Sequence, residues 1–442
     1  MSRRVALTTL GCRLNQVDTL LLQAGLEARG FVTVPLGAPA DVVVVNTCTV
    51  TARAEFSDRQ AIRRARRDHP HARVVVTGCW AQTSAAEVAR LDEVDLIVGN
   101  ADKPRLPDLV ERLLDHASAA PPRVSVGSLT ERHSAPTLRL PLSGRSRAFV
   151  KVQDGCQHRC AFCIVPLARG ASRSVPLPAV VAQVEALVEA GHAEVVLTGI
   201  DLGHYGADLR PRTTLAALVE ALGGVRDLRW LRLSSLLPAY ITDGLVAALR
   251  SSAVVAPHFH VPLQSGSDRV LRVMRRPYTT ELYRRVVDRL LTAFPGAGLG
   301  ADVLVGFPGE TERDFAETVA LVDALPFTYL HVFPYSARHG TEAAARADRL
   351  TPRTVAHRAA VTRALGEVKA AAFRRRLAGA VEDALVLERR DRDTGDLIAL
   401  TGRYAEVLFA GPDALMRRLV RVQIAETAGA RLRGRLVEER AA

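Results

Sequence analysis

Lysine is almost missing from this 442-residue chain: Lys103, Lys151 and Lys369 are its only copies, so the formal net charge of +12 is carried by arginine. Cysteine is scarce too, six residues in all, which is too few for a disulfide framework. Met1-Ser-Arg-Arg4 leads into a brief apolar run, Val5 to Leu10, that matches neither a signal peptide nor a spanning helix. These absences predict a cytoplasmic protein with no membrane segment, in a reducing setting where crowded thiols bind metal more readily than each other. There is no internal repeat and no low-complexity tract. What is present is an ordinary globular composition, 48% hydrophobic, on a chain too long for one core; two to three domains are expected. Arginine's planar fork suits phosphate and base edges, which makes nucleic acid the first partner to test, although a GC-rich genome enriches arginine as well.

From the N-terminus to residue 115, short apolar runs alternate with helical patterns. Val5 to Leu10 leads to Cys12, Val42-Val-Val-Val-Asn46 leads to Cys48, and Val74-Val-Val-Thr-Gly78 leads to Cys79. Continuous β-branched runs separated by helices predict a parallel sheet covered on both faces, a Rossmann-like α/β domain. Each cysteine then sits just past the carboxyl end of a strand, the edge where open α/β sheets bind ligands, so the three are expected to converge. Arg53 to Arg67 reads as a helix with six arginines, either a solvated face or an RNA-facing one.

Residues 116–144, polar and centred on Ala119-Ala-Pro-Pro-Arg123, read as a linker. Residues 145–376 repeat strand then helix: Ala148 to Val152, Glu194 to Thr198, Leu228 to Ser234, His258 to Leu263, Gly300 to Val305 and Tyr329 to Tyr335. That predicts a partial (β/α)6 barrel with its chemistry at the carboxyl ends of the strands. His258, His260 and His331 fall on those strands and read as packed histidines. Residues 377–442 carry short strands at Ala384 to Glu388, Leu397 to Thr401, Ala405 to Phe409 and Val420 to Ala425, an all-β appendage of small-barrel size. Its eleven arginines balance eleven acids, so bulk charge gives it no RNA-binding role; local clusters stand at Arg417, Arg418 and Arg421 and at Arg431, Arg433 and Arg435.

The other three cysteines, Cys156, Cys160 and Cys163, crowd a C-x3-C-x2-C loop after the first barrel strand. A structural zinc ion wants four ligands, which His158 inside the motif could complete. A [4Fe–4S] cubane held by three thiolates instead leaves one iron open to a ligand. Cys12, Cys48 and Cys79 repeat the arithmetic and exhaust the supply; for any single one, a small buried apolar residue is the simpler reading.

The loop Gly155-Cys-Gln-His-Arg-Cys-Ala-Phe-Cys163 resembles the cluster loop of radical S-adenosylmethionine enzymes, and Pro166, Arg169-Gly170 and Arg173-Ser174 extend the likeness to their methylthiotransferase branch. Thr9-Leu-Gly-Cys-Arg-Leu-Asn-Gln-Val-Asp18, Asn46-Thr-Cys-Thr49 and Thr77-Gly-Cys79 resemble that branch's N-terminal domain, and the tail resembles an RNA-binding TRAM domain. Within the branch, Leu-Asn-Gln after Cys12 and Val-Gln-Asp-Gly before Cys156 are similar to enzymes acting on threonylcarbamoyladenosine in tRNA. Isopentenyladenosine tRNA or a ribosomal-protein aspartate is the alternative substrate, and a zinc- or Fe–S-containing tRNA-binding protein the alternative outside enzymes.

The resemblance implies two [4Fe–4S] clusters on the six cysteines. The barrel cluster would cleave S-adenosylmethionine to a radical that removes hydrogen from carbon 2 of the adenine. The auxiliary cluster would deliver methylated sulfur. It further implies tRNA as partner, an electron donor such as flavodoxin or ferredoxin, and a monomer. Thr198 and Gly199, in the Leu197-Thr-Gly-Ile-Asp201 stretch at a strand end, Ser234 and Gln264 are the expected S-adenosylmethionine contacts. Arg169 and Arg173 are the expected RNA contacts, holding phosphate or an extruded base.

Overall fold

The computed structural model describes residues 3–115, 123–129 and 146–439. It divides into two compact units. The first gathers the N-terminal residues with Gln153–Val175 and Ser336–Ala344; the second gathers the strand ending near Val152 with Pro176–Tyr335 and the C-terminal residues. The cysteine loop thus packs with the N-terminal sheet.

In the first unit the strands are β1 (Arg4–Thr9), β2 (Val32–Val34), β3 (Val42–Thr47), β4 (Arg73–Gly78), β5 (Leu96–Val98) and β6 (Val124–Ser125). They form one parallel sheet in the order β2-β1-β3-β4-β5-β6. The valine run of β3 shows why both faces are covered. Val43 and Val45 pack on one side with Ile62, Ala65 and Trp80, while Val42 and Val44 pack on the other with Leu22, Leu26 and Leu109. Of the expected linker, residues 116–122 and 130–144 lie outside the described residues; within the described part Val124 and Ser125 pair with Ile97 and Val98 and extend the sheet.

The second unit contains β7 (Arg147–Lys151); in the first, β8 (Gln153–Asp154) and β9 (Arg173–Ser174) form a two-stranded ribbon that flanks the cysteine loop. The second unit continues with β10 (Glu194–Thr198), β11 (Trp230–Leu233), β12 (His258–His260), β13 (Gly298–Val305) and β14 (Tyr329–Pro334). Parallel pairing runs β7-β10-β11 and β12-β13-β14, and a Leu231–Val255 bridge with the Leu236 N–H to His260 C=O bond (2.9 Å) joins the two sets. This is the expected partial barrel of six strands. Threonines start the intervening helices: Thr214, Thr242, Thr279 and Thr311 each accept a backbone N–H three residues on.

The tail is a closed barrel of β15 (Val381–Arg390), β16 (Leu397–Thr401), β17 (Glu406–Phe409), β18 (Leu419–Ala428) and β19 (Arg431–Glu439), in the order β15-β16-β17-β19-β18. Phe373 and Leu377, at the end of the helix Pro352–Leu377, fill its core. Inside the second unit it is tied to the strands by Arg232. This side chain, with 0% exposure, pairs with equally buried Glu194 (3.0 Å) and donates to the carbonyls of Gly402 (3.0 Å) and Thr401 (3.4 Å). The tail's arginine clusters are partly spent internally: Arg431 bridges Asp391 and Glu406, and Arg433 faces Glu426. No described helix is long and apolar enough to cross a membrane.

Candidate functional site

β1, β3 and β4 are consecutive in the sheet, so Cys12, Cys48 and Cys79 follow three adjacent carboxyl ends, as the strand-end reading requires. None of the six cysteines is joined in a disulfide. Cys12 is exposed while Cys48 and Cys79 are buried. Burial first, then the neighbouring Cys79 and Cys12, push the Cys48 thiol up to about 12, against a bond from the Val50 backbone. Such thiols ionise readily only when a cation binds them, the condition that a metal cluster meets.

The backbone leaves room for the sulfur. Gly11 sits at φ +92°, and a Cβ there would lie 2.6 Å from the Cys48 Cβ and 2.7 Å from its Sγ. Gly78, at φ +103°, lies so close to β3 that a Cβ would meet the Thr47 carbonyl at 2.4 Å. Gly11→Ala is therefore expected to displace the Cys48 thiol, with an overpacking cost of about 1–3 kcal/mol. Anaerobic metal analysis should find roughly half the wild-type iron retained, with the circular-dichroism spectrum preserved; full iron content would contradict this use of the glycine.

A buried polar network holds the strand ends to the cysteine loop. The Asn15 amide donates to the carbonyls of Leu10 (2.8 Å) and Thr47 (2.9 Å), and the Asn46 amide donates to the Asn15 carbonyl (2.9 Å). Lys103, one of the rare lysines, pairs with Asp18 at 3.1 Å. Arg169, six residues past Cys163, donates to both oxygens of Asp154 (3.0 and 3.1 Å), to Asn15 (2.6 Å) and to Asp18 (3.1 Å). Burial disfavours its charge, but Asp154, the Cys79 and Cys12 sulfurs and Asp18 outweigh it and hold the guanidinium protonated.

Against the expected RNA role of Arg169, its guanidinium is 2% exposed and committed inward to Asp154, Asn15 and Asp18. Arg173 is drawn the same way, donating to the Arg169 carbonyl at 3.2 Å and lying 4.0 Å from Asp154. Asn15, Asp18, Lys103 and Asp154 escaped sequence reasoning as site residues, although Asn15, Asp18 and Asp154 lie inside the quoted motifs. On the arginine-rich helix Ala52–Asp68, Arg66 pairs with Asp95 and Arg59 with Glu87, while Arg53 and Arg64 are exposed.

In the second unit the expected contacts occupy strand ends. Thr198 closes β10 with 1% exposure, and its carbonyl accepts the Val152 N–H (3.0 Å); Gly199 follows it. Ser234 follows β11, and its buried hydroxyl finds no hydrogen-bond partner among the described residues, as a group reserved for a ligand would not. Gln264 adopts φ +65°, with its backbone bonded on both sides to β13. A non-glycine residue pays roughly 1–2 kcal/mol for that conformation, a strain found where a ligand site fixes the chain.

Residues 150–322 match the radical SAM superfamily, and residues 4–99 match a family described as uncharacterized protein family UPF0004. The chain is 40% identical to a threonylcarbamoyladenosine tRNA methylthiotransferase MtaB of Aquifex aeolicus, over 95% of this chain and 100% of that one. The Bacillus subtilis MtaB is 36% identical over 95% and 93%. A tRNA-2-methylthio-N6-dimethylallyladenosine synthase of Clavibacter michiganensis is 35% identical over 91% and 76%. Among solved structures, the radical S-adenosylmethionine methyltransferase TsrM of Kitasatospora setae shares the fold, with a TM-score of 0.58 and 20% identity over 78% of this chain and 74% of that one. With its radical SAM segment, its UPF0004 segment and near full-length identity to MtaB proteins, the chain belongs to the radical S-adenosylmethionine methylthiotransferases, in the MtaB branch.

Proposed function

We propose that the chain converts N6-threonylcarbamoyladenosine beside the anticodon of tRNA to its 2-methylthio derivative, using one [4Fe–4S] cluster on Cys156, Cys160 and Cys163 and a second on Cys12, Cys48 and Cys79. The observation that carries this reading is the pairing of two incomplete thiol sets: three free cysteines at adjacent strand ends, and three on a loop held to those ends through Arg169. When bound, the loop's cluster would supply the electron that cleaves S-adenosylmethionine reductively, and the other the sulfur to be inserted.

The chain's own part is positioning. Thr198, Gly199, Ser234 and Gln264 are proposed to orient S-adenosylmethionine, with the unpartnered Ser234 hydroxyl as support. Arg169, Asp154, Asn15 and Asp18 are proposed to fix the loop against the strand ends. Exposed arginines such as Arg53 and Arg64, on a chain of net charge +12, are proposed to meet tRNA phosphates. A flavodoxin or ferredoxin is proposed as electron donor, with the protein acting as a monomer in the cytoplasm.

The test is mass spectrometry of tRNA nucleosides from a deletion strain. Loss of 2-methylthio-N6-threonylcarbamoyladenosine, with its precursor accumulating and the isopentenyl series untouched, is expected. An unchanged threonylcarbamoyl series would sink the reading.

A further inference from the structure

β12, β13 and β14 alternate strictly in what they face. Phe259, Leu299, Ala301 and Val303 are buried, and Leu330 packs against the helix Pro352–Leu377 at Gly366. The intervening residues His258, His260, Asp302, Tyr329, His331 and Phe333 therefore point to the inner face. Tyr404, stacked on His258 at 4.2 Å and 5.2 Å from the Arg232 guanidinium, marks that face as the one that β11 shares.

On it runs a hydrogen-bonded chain. His258 Nε2 and His260 Nδ1 each lie 2.9 Å from the Tyr329 hydroxyl, His260 Nε2 lies 2.9 Å from Asp302 Oδ1, and His331 Nδ1 lies 3.2 Å from the same oxygen. Burial pushes the Asp302 carboxyl up, but the two imidazoles outweigh it and hold it well below the usual carboxylate range. An ionised carboxylate only accepts, so both facing nitrogens carry hydrogen, and the His331 tautomer is set with Nε2 outward. The chain thus has a closed inner end and an open outer one. The His331 side chain is 54% exposed, Asp302 21%, and the ring of Phe333, itself 42% exposed, stands edge-on to His331 at 6.3 Å.

We infer that Asp302 and His331, braced by His260 and Tyr329, form the subsite that reads the polar N6 substituent of the target adenosine, with Phe333 offering an aromatic surface for the base. This rests on the threonylcarbamoyladenosine reading above and names the side chains behind that choice. A carbamoyl linkage brings N–H donors, which suit the second oxygen of Asp302. The attached amino acid brings a hydroxyl, whose O–H the outer nitrogen of His331 can accept. An isoprenoid substituent would desolvate both groups and pair neither, the situation in which polar sites discriminate most strongly.

The test uses the cluster-loaded enzyme under anaerobic conditions with anticodon stem-loops identical except at N6: threonylcarbamoyl, isopentenyl or unmodified. Wild type is expected to bind the threonylcarbamoyl RNA at least about tenfold more tightly than the other two, the difference of one or two good hydrogen bonds. His331→Phe, which keeps a ring against Tyr329 and Phe333, should bring that preference to within about threefold while affinity for unmodified RNA stays the same. Asp302→Asn should do likewise; if it fails to fold, His331→Phe decides alone. Wild-type preference in His331→Phe overturns the inference while the functional reading stands. A wild type that neither prefers nor methylthiolates the threonylcarbamoyl RNA overturns both. The ligand atoms of His260, Asp302 and His331 lie within 4.8 Å of one another, so metal analysis completes the test: one non-cluster metal ion per chain, lost in Asp302→Asn, would make this a metal site and overturn the subsite.

Discussion

Replacing Cys12, Cys48 and Cys79 together by alanine is expected to abolish methylthio transfer while the chain still cleaves S-adenosylmethionine to 5′-deoxyadenosine. The three residues follow β1, β3 and β4 and contribute thiols, not core: the sheet's apolar layers are built from the valines of β3 and β4 and the helices on either side. Trimming these side chains to alanine therefore costs packing on the scale of about 1 kcal/mol per buried sulfur, too little to unfold a domain of ordinary stability. The matching triple alanine variant at Cys156, Cys160 and Cys163 should lose both products. Chromatography of 5′-deoxyadenosine alongside nucleoside mass spectrometry separates the outcomes. Methylthiolated nucleoside from the first variant would mean that the N-terminal thiols do not carry the inserted sulfur.

Arg169→Leu is expected to have the largest effect of any single substitution. Removing the guanidinium leaves Asp154, 7% exposed, without its bidentate partner and Asp18, 3% exposed, with Lys103 alone, and deprives Asn15 of the donor on its side-chain oxygen. Breaking a buried pair from one side costs about 3–5 kcal/mol, a large part of a domain's total. The melting temperature of the first unit should fall by roughly 10 °C, and iron should be lost from both thiol sets together because one network holds the loop and the strand ends. Arg169→Lys keeps charge but not the fork, so it should lie between. Were the residue an RNA contact instead, Arg169→Leu would melt like wild type, keep its iron and lose only tRNA affinity.

That contrast shows where the sequence was legible. Runs such as Val42 to Val45 have one physical reading, a strand buried on both faces, and the position of each cysteine just beyond such a run was enough to bring three thiols to one edge. The six barrel strands were readable for the same reason, to within a few residues at each end. Arg169 was not, because its partners Asn15 and Asp18 lie 154 and 151 positions away, and an arginine beside a cluster loop looks the same whether it faces solvent or a buried carboxylate. β19 was missed because Arg431 to Glu439 carries charge at most positions and pairs through its backbone with β18. His331 read as a packed residue from its strand, whereas strand alternation turns it, with Asp302, to the open inner face. Local pattern fixes which segments form strands; tertiary pairing fixes which charged groups are used inside the molecule and which remain for a ligand.

The most direct measurement is iron and acid-labile sulfide per chain in anaerobically prepared wild-type protein, repeated on the two triple cysteine variants. About eight irons with matching sulfide in wild type, and about four in each variant, are expected from two three-thiolate cubanes. Zinc in place of iron, or about four irons in wild type that only one of the two variants loses, would contradict the two-cluster enzyme.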